Sequence, residues 1–325
     1  AINLTMQRRG LPVSYVVTVG NQAAVDMAEI GIALLEDPRV TALGLYIEGI
    51  RDLRAFEAMA AVARARGKRI LVLKVGASEQ AQAAAVSHTA SLAGHAAGAS
   101  ALFRRLGIGE VHDLGAFLEA LKVLHVVGPL VSNRVASMSC SGGEASLVAD
   151  RAMATGLVFP ALEAAQKRAL ADALGPKVAL ANPLDYHTYI WPDRVKMAAC
   201  FSAMMRGDLA LGMVILDFPR EDHCDASDWF TVIDAVADAM AASGKPMAIV
   251  ASMVDTMPEA LAEAMMARGI LPLAGIPEAL AALDVAANLA GDVTAQPVLR
   301  PGPEGEGRIL SEGEAKAALA GFGLS

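Results

Sequence analysis

Ala42-Leu43-Gly44-Leu45-Tyr46-Ile47, then Asp52 to Arg66, then Ile70-Leu71-Val72-Leu73: two apolar runs enclose a stretch whose apolar residues recur at helical spacing. A short apolar run, an amphipathic helix and a second short run predict a βαβ unit in a parallel sheet. Working outward, Tyr15-Val16-Val17-Thr18 predicts an earlier strand, Gln22 to Leu35 a crossover helix, and Gly109-Glu110-Val111-His112 a short further strand. After Gly128-Pro129 and Ser132-Asn133 the pattern restarts. Val135-Ala136-Ser137-Met138 predicts a strand running into the turn Ser141-Gly142-Gly143 and a helix to about Ala154. Lys177-Val178-Ala179-Leu180, Met213-Val214-Ile215-Leu216 and Met247-Ala248-Ile249-Val250 predict the next strands. The fold expected is α/β, doubly wound twice, with ligands at the carboxyl ends of the strands.

Composition narrows the function. The 325 residues suffice for two ordinary domains, each with its own core. Hydrophobic residues make up 54% and aromatics 4%, which suits small side chains between helices and parallel strands. Lys plus Arg is 27 against 35 Asp plus Glu, a net charge of -8, and no basic cluster offers a surface for nucleic acid. No uninterrupted apolar run approaches the roughly 20 residues of a membrane-spanning helix. Ala1 to Arg9 reads as the middle of a helix and not as a secretion signal. Cys140, Cys200 and Cys224 are odd in number and lack ligand spacing, which points to a reducing cytoplasm. His95, His112, His125, His187 and His223 are scattered without ligand partners, so no metal site is expected. Asp217 to Asp225 is an acid-rich loop read as a solvated rim.

The chemistry concentrates at Ser87-His88-Thr89-Ala90-Ser91-Leu92-Ala93-Gly94. A histidine among Ser, Thr and Gly, ahead of a predicted helix, has neighbours small enough to admit a phosphate to its ring. Phosphoryl transfer to it needs a neutral ring nitrogen, with a partner on the other nitrogen. Glu48, at the carboxyl end of a predicted strand, can be that partner, or an ordinary solvated strand-end acid. Ser139 to Ala145 spans a strand-to-helix turn whose Gly142-Gly143 permits backbone to approach phosphate, or simply makes a tight turn.

These residues resemble the phosphohistidine segment of the NDP-forming acyl-CoA synthetases, relatives of succinyl-CoA synthetase, whose members carry Ser-His-Thr-Gly-Ala/Ser-Leu-Ala-Gly. Ala90 stands where the family usually has Gly. The resemblance implies two flavodoxin-like, succinyl-CoA synthetase-like domains with parallel sheets. It makes His88 the phosphorylated nucleophile, Glu48 its ring partner, and Ser87, Thr89, Ser141, Gly142 and Gly143 phosphate-binding residues. Glu144 replaces a family proline and brings an acid near the expected anion. Gly20-Asn21 with Asp26 is similar to a family Gly-Asn-x-x-x-x-Asp segment, and equally reads as a capped loop opening a helix. Asn182-Pro183-Leu184-Asp185 is similar to a recurrent Asn-Pro-x-Asp segment near the site, and Asn-Pro also favours a turn.

The expected organisation is 1–130 as the first such domain with the phosphohistidine loop, 131–295 as the second, and 296–325 as a linker opening an ATP-grasp domain. Gln296 to Gly307 is rich in Pro, Gly and Glu, and Ser311-Glu312-Gly313-Glu314 has capping-box spacing ahead of a helix from Ala315 to Ala320. The resemblance implies an internal fragment of an acid–CoA ligase, without its CoA-binding domain and most of its ATP-grasp domain, that does not turn over alone. The reaction is acid + CoA + ATP = acyl-CoA + ADP + phosphate, through an acyl phosphate and a phosphohistidine. It also implies CoA and ATP/ADP with Mg²⁺ held mostly by those other domains of the parent chain, and a carboxylic acid whose identity is open, as is homo-oligomerisation. Two rivals stand beside it: a non-catalytic regulatory module like the synthetase-like regions fused to acetyltransferases, and a nucleotide-binding domain of unrelated purpose on the same fold.

Overall fold

A computed structural model describes residues 8–20, 22, 24–76, 78, 96–220, 222–289, 293, 298 and 310–320. The chain divides into two units, Ala1–Val293 and Thr294–Ser325.

The first unit holds two sheets, all of whose pairs are parallel. One is β1 (Ala42–Ile47), β2 (Arg69–Lys74) and β3 (Gly109–Val111), in that order. Along β1 the side chains alternate, as the period of a strand requires. Leu43, Leu45 and Ile47 are buried on one face. There Leu43 meets Gly31 of α1 (Met27–Glu36), and Gly31 in turn contacts Met59 of α2 (Leu53–Ala65). Gly44 lies on the other face against Phe117 and Leu121 of α4 (Leu114–Val126), where a Cβ would come within 2.7 Å of the Phe117 ring. Helices thus cover both faces, α3 (Ala96–Leu106) packing beside β3. Asp26 and Asp52 cap α1 and α2, accepting from Ala28 N and from Arg54 N and Ala55 N.

The second sheet has the order β5-β4-β6-β7-β8, with β4 Val135–Ser139, β5 Leu184–Asp185, β6 Leu211–Ile215, β7 Met247–Ala251 and β8 Leu271–Ala274. Counted from its own first strand this is 2-1-3-4-5, the flavodoxin order, whose crevice opens between the first and third strands. β4, β6, β7 and β8 are buried at every residue, as strands covered on both faces must be. The crossover helices are α5 (Gly142–Ala152), α6 (Ala164–Leu174), α7 (Arg194–Met204), α8 (Ser227–Ser243), α9 (Glu259–Ala267) and α10 (Ile276–Asn288). One apolar core joins Leu71, Leu73 and Val111 of the first sheet to Leu211, Met213 and Leu273 of the second through α4 and α10.

Two expectations need correction. Tyr15-Val16-Val17-Thr18 is not assigned as a strand: among the described residues it pairs with no ladder, and Tyr15, Val16 and Val17 are exposed. Lys177 to Leu180 is also outside the sheet, and β5 lies four residues further on. The reason is Asn182, whose side chain stands in for a strand along this stretch of β4. Its Oδ1 accepts from Ser137 N at 3.1 Å and its Nδ2 donates to Val135 O at 3.0 Å. No strand is expected from the sequence at β8, which carries Pro272, a residue that speaks against a strand except at a sheet edge, where β8 runs.

In the second unit, α11 (Glu312–Ala320) opens on the expected capping box. Ser311 N donates to Glu314 Oε2 at 2.8 Å and Glu314 N to Ser311 Oγ at 3.4 Å. The linker residues 299–307 lie outside the described residues. Among the described residues no helix is long and apolar enough to cross a membrane.

Candidate functional site

In the first sheet, β1 and β2 run side by side in register to Ile47 and Lys74, and Val75 N extends the ladder by donating to Ile47 O at 2.9 Å. Glu48 is the residue after β1, so it leaves the sheet next to the chain that leads from Lys74 toward Ser87-His88-Thr89. Glu48 is exposed. The loop that follows it turns back on the one before α1: the Arg51 guanidinium donates to Gln22 O, and Gln22 Oε1 accepts from Met27 N at 3.0 Å. Gly20 and Gln22 both have positive φ, +53° and +56°, and none of the described residues comes within 4 Å of a Cβ placed on Gly20. Asp26 serves as the helix cap, which accounts for its part of the Gly-Asn-x-x-x-x-Asp pattern. Ser87, His88, Thr89, Asn21 and His95 lie outside the described residues.

The second group of polar residues gathers at the carboxyl ends of β4, β5, β6 and β7. Ser139 ends β4, accepting from Ser141 N at 3.2 Å and donating to Ser141 O at 2.5 Å. This tight turn sets Ser141 as the cap of α5, accepting from Glu144 N at 3.5 Å. The first N–H groups of a helix have no partner within it, so those of Gly142 and Gly143 point out of the helix end with its positive dipole behind them. A Cβ on Gly142 would stand 2.9 Å from Asp185 Oδ2, so only glycine lets the helix start this close to β5. Asp185 Oδ1 accepts from His187 N at 2.9 Å, and the His187 ring lies 3.7 Å from Oδ2 and stacks on Tyr189. Asp217, after β6, accepts from Ser252 N at 2.7 Å, Ser252 Oγ at 2.5 Å and Thr256 Oγ at 2.5 Å.

Glu144 sits in the first turn of α5, half-buried, and its Oε2 is closed to solvent and has no hydrogen-bond partner among the described residues. Burial, and then the charges of Asp217 and Asp185, push its carboxyl above the ordinary range, against a hydrogen bond from Ser139. Cys140 is held as a thiol, chiefly by burial and then by Glu144, and burial pushes Cys200 up to about 12. Neither is placed to act as a thiolate nucleophile. Among the described residues no group of three His, Cys, Asp or Glu is arranged to hold a metal ion.

Ser141, Gly142, Gly143 and Asp185 therefore come together, with Glu144, while Asn182 turns its amide to Val135, Ser137 and Pro160 instead. Sequence reasoning missed Asp217, which is not a solvated rim residue but a partly buried anchor between β6 and β7. Its signal was its place directly after the apolar run ending at Leu216. The rest of that loop is a surface, where Arg220 pairs with Asp222 at 2.6 Å.

Residues 1–124 match the model of the succinyl-CoA ligase like flavodoxin domain. The chain is 35% identical over 169 residues to the alpha subunit of ADP-forming acetate–CoA ligase II of Pyrococcus furiosus, which covers 52% of this chain and 36% of that one. It is 26% identical over 324 residues to a trans-feruloyl-CoA synthase of an unknown prokaryotic organism, covering 98% of this chain and 45% of the other. The chain spans less than half of the length of these curated relatives. Among solved structures, the dinucleotide-forming acetyl-coenzyme A synthetase 1 of Ca. Korarchaeum cryptofilum, in complex with phosphate and ADP, superposes with a TM-score of 0.71 at 22% identity, over 87% of this chain and 60% of that one. At that identity the likeness is one of fold.

Proposed function

Since the chain belongs to the succinyl-CoA synthetase-like family of NDP-forming acyl-CoA synthetases, we propose that it supplies the phosphoryl-relay part of an acid–CoA ligase. In this reading His88 takes a phosphoryl group from ATP and passes it on toward the carboxylic acid, or runs the exchange in reverse. The supporting observation is the adjacency of β1 and β2. Glu48 leaves the sheet at Ile47, beside the chain that leaves at Lys74 toward His88.

A carboxylate there accepts the N–H of one ring nitrogen, keeps the other free to attack phosphorus, and stabilises the cationic ring once phosphorylated. Catalysis is then mostly positioning and charge stabilisation. The first turn of α5 supplies N–H donors for a phosphoryl oxygen, with Ser141 fixing the turn and Gly142 allowing close approach. The nucleotide, CoA and Mg²⁺ supply the phosphoryl group, the thiol and charge neutralisation, and we assign their binding mainly to other parts of the parent protein. The relatives' names cover acetate and trans-ferulate, so the acid is open within that span. Three unpaired cysteines fit a cytoplasmic setting.

The regulatory-module reading is favoured by one observation, the carboxyl groups of Glu144 and Asp185 against the α5 terminus, where an anion is expected. A panel of carboxylic acids separates the two. The full-length protein is assayed for CoA- and acid-dependent release of ADP and phosphate. Turnover that His88→Asn abolishes supports the ligase, and nucleotide binding without turnover on any acid supports the module.

A further inference from the structure

We propose that the stacked rings of His187 and Tyr189 form a platform for an aryl ring, so that the acid this chain helps to activate is an aromatic carboxylic acid and not acetate. The proposal rests on the phosphoryl-relay reading and narrows the acid which that reading leaves open.

Trp, Tyr and Phe together are 4% of the chain, yet three of the six residues 186–191 are aromatic, and a histidine stands among them. Tyr186 and Ile190 are buried and anchor the segment, while the 3₁₀ turn Thr188–Ile190 carries Tyr189 outward, 62% exposed. The Tyr189 ring stacks on that of His187, with centroids 5.3 Å apart and planes 27° apart. Trp191 closes the turn, donating N–H to Thr188 O at 3.2 Å, and packs edge-on against Trp229. The Trp229 indole N–H in turn donates to Asp217 O at 2.7 Å.

His187 has φ +57° and ψ −179°, a backbone region populated almost exclusively by glycine. Its N–H donates to Asp185 Oδ1 at 2.9 Å, and its ring Nδ1 lies 3.7 Å from Asp185 Oδ2. Strain of this kind persists where the surroundings impose it, and it concentrates at ligand clamps. A side chain held so, and stacked at the surface instead of in the core, offers an aromatic face to something outside the fold. Asp185 sets where that face lies. Its Oδ2 is 3.7 Å from the His187 ring and 2.9 Å from a Cβ placed on Gly142, in the first turn of α5. An acid whose carboxylate meets a phosphoryl group at that turn therefore has its substituent one side chain away from the platform. A methyl group has neither the length nor the π-face to use it, whereas an aryl ring gains an offset or edge-on stack. The Asp185 carboxylate beside the rings also disfavours a second anionic group there, which selects a neutral ring over a dicarboxylic acid.

In the test, the full-length protein is assayed for CoA-dependent release of ADP with trans-cinnamate, hexanoate and acetate, and trans-cinnamate binding is followed by saturation-transfer NMR. The variants are Tyr189→Phe, Tyr189→Ala and His187→Gly, each first shown to melt cooperatively. The wild type is expected to favour trans-cinnamate over both aliphatic acids by about tenfold or more in kcat/KM. Tyr189→Ala lowers the cinnamate-to-acetate ratio about tenfold, mainly through KM, and Tyr189→Phe keeps it because the ring remains. His187→Gly, which suits the backbone and lacks the second ring, melts no lower than the wild type and lowers the same ratio. A wild type that prefers acetate or hexanoate, or a ratio unchanged in Tyr189→Ala, would overturn the proposal. So would a rise in KM for ATP or CoA in place of the acid, which would give the platform to an adenine. Labelling of His88 by γ-labelled ATP in the same preparation separates the two ideas. Label without any preference for trans-cinnamate removes the platform alone, and Tyr189-dependent binding of trans-cinnamate without label removes the relay alone.

Discussion

Replacing Glu119 with Ala should destabilise the protein more than any other single change to a charged residue described above. Glu119 lies on α4 with no solvent exposure, paired with Arg9 Nη1 through Oε1 and with Lys122 Nζ at 2.9 Å through Oε2, while Ala274 N donates to the same Oε2 at 3.1 Å. Lys122 is itself fully buried and its remaining acceptor is Arg9 O at 3.3 Å. Removing the carboxylate leaves two buried cations and a strand N–H without it. Breaking a buried ion pair from one side costs about 3–5 kcal/mol, and an orphaned buried N–H about 1–3 kcal/mol more. Against a typical total of roughly 5–15 kcal/mol this approaches global unfolding.

The variant also carries its own signature in pH. Burial lowers the Lys122 pKa, and Glu119 is the group that opposes the shift. A base whose folded-state pKa is below its unfolded value binds fewer protons when folded, so stability rises with pH across that interval. Glu119→Ala should therefore regain stability as pH is raised, and adding Lys122→Met should restore part of the loss at neutral pH, because no buried cation then lacks a partner. Equilibrium urea unfolding of the three proteins measures all of this. A loss under about 1 kcal/mol, far below what breaking a buried pair requires, together with no pH dependence, would refute the reasoning.

Asn182→Ala removes bonds to Ser137 N, Val135 O and Pro160 O at the β4 edge, and at about 1 kcal/mol each should cost about 3 kcal/mol in the same unfolding assay. Gly44→Ala puts a methyl 2.7 Å from the Phe117 ring and 2.9 Å from Leu121, and overpacking of about 1–3 kcal/mol should lower its melting temperature relative to an exposed control, Gly67→Asn. Glu144→Gln should stabilise the protein. An acid whose folded-state pKa is raised binds more protons when folded, so its contribution is present at low pH and is lost as pH rises through the folded value. The gain over wild type should accordingly grow between acid and neutral pH, and a constant difference would contradict the assignment.

Much of this architecture was legible because parallel strands covered on both faces read as short apolar runs. Ala42 to Ile47 has the same bounds in sequence and structure, and β2, β4, β6 and β7 differ by a residue or two. Tyr15 to Thr18 has the composition of a strand without a neighbour to pair with among the described residues, and composition does not report pairing. The misplacement at Lys177 arises because a side chain, Asn182, does what backbone usually does, and nothing in a hydropathy pattern marks that substitution. Pro272 concealed β8 by the same logic that confines proline to edges. At the site, Ser141, Gly142 and Gly143 were readable as a strand-to-helix turn, and Glu144 as an anomaly within it. The grouping of Asp217 with Ser252 and Thr256 joins residues 35 and 39 apart, and the burial of Glu119 and Lys122 looks in sequence like a solvated i,i+3 pair on a helix surface. Only tertiary packing distinguishes these.

The most direct test of the account is chemical. Full-length protein is incubated with γ-labelled ATP and Mg²⁺, and the label is examined for acid lability and base stability in the wild type, His88→Asn and Glu48→Gln. The account predicts acid-labile, base-stable label on the wild type, none on His88→Asn, and a reduced level on Glu48→Gln. Label of that kind retained by His88→Asn, or none on a folded, nucleotide-binding wild type, would contradict it.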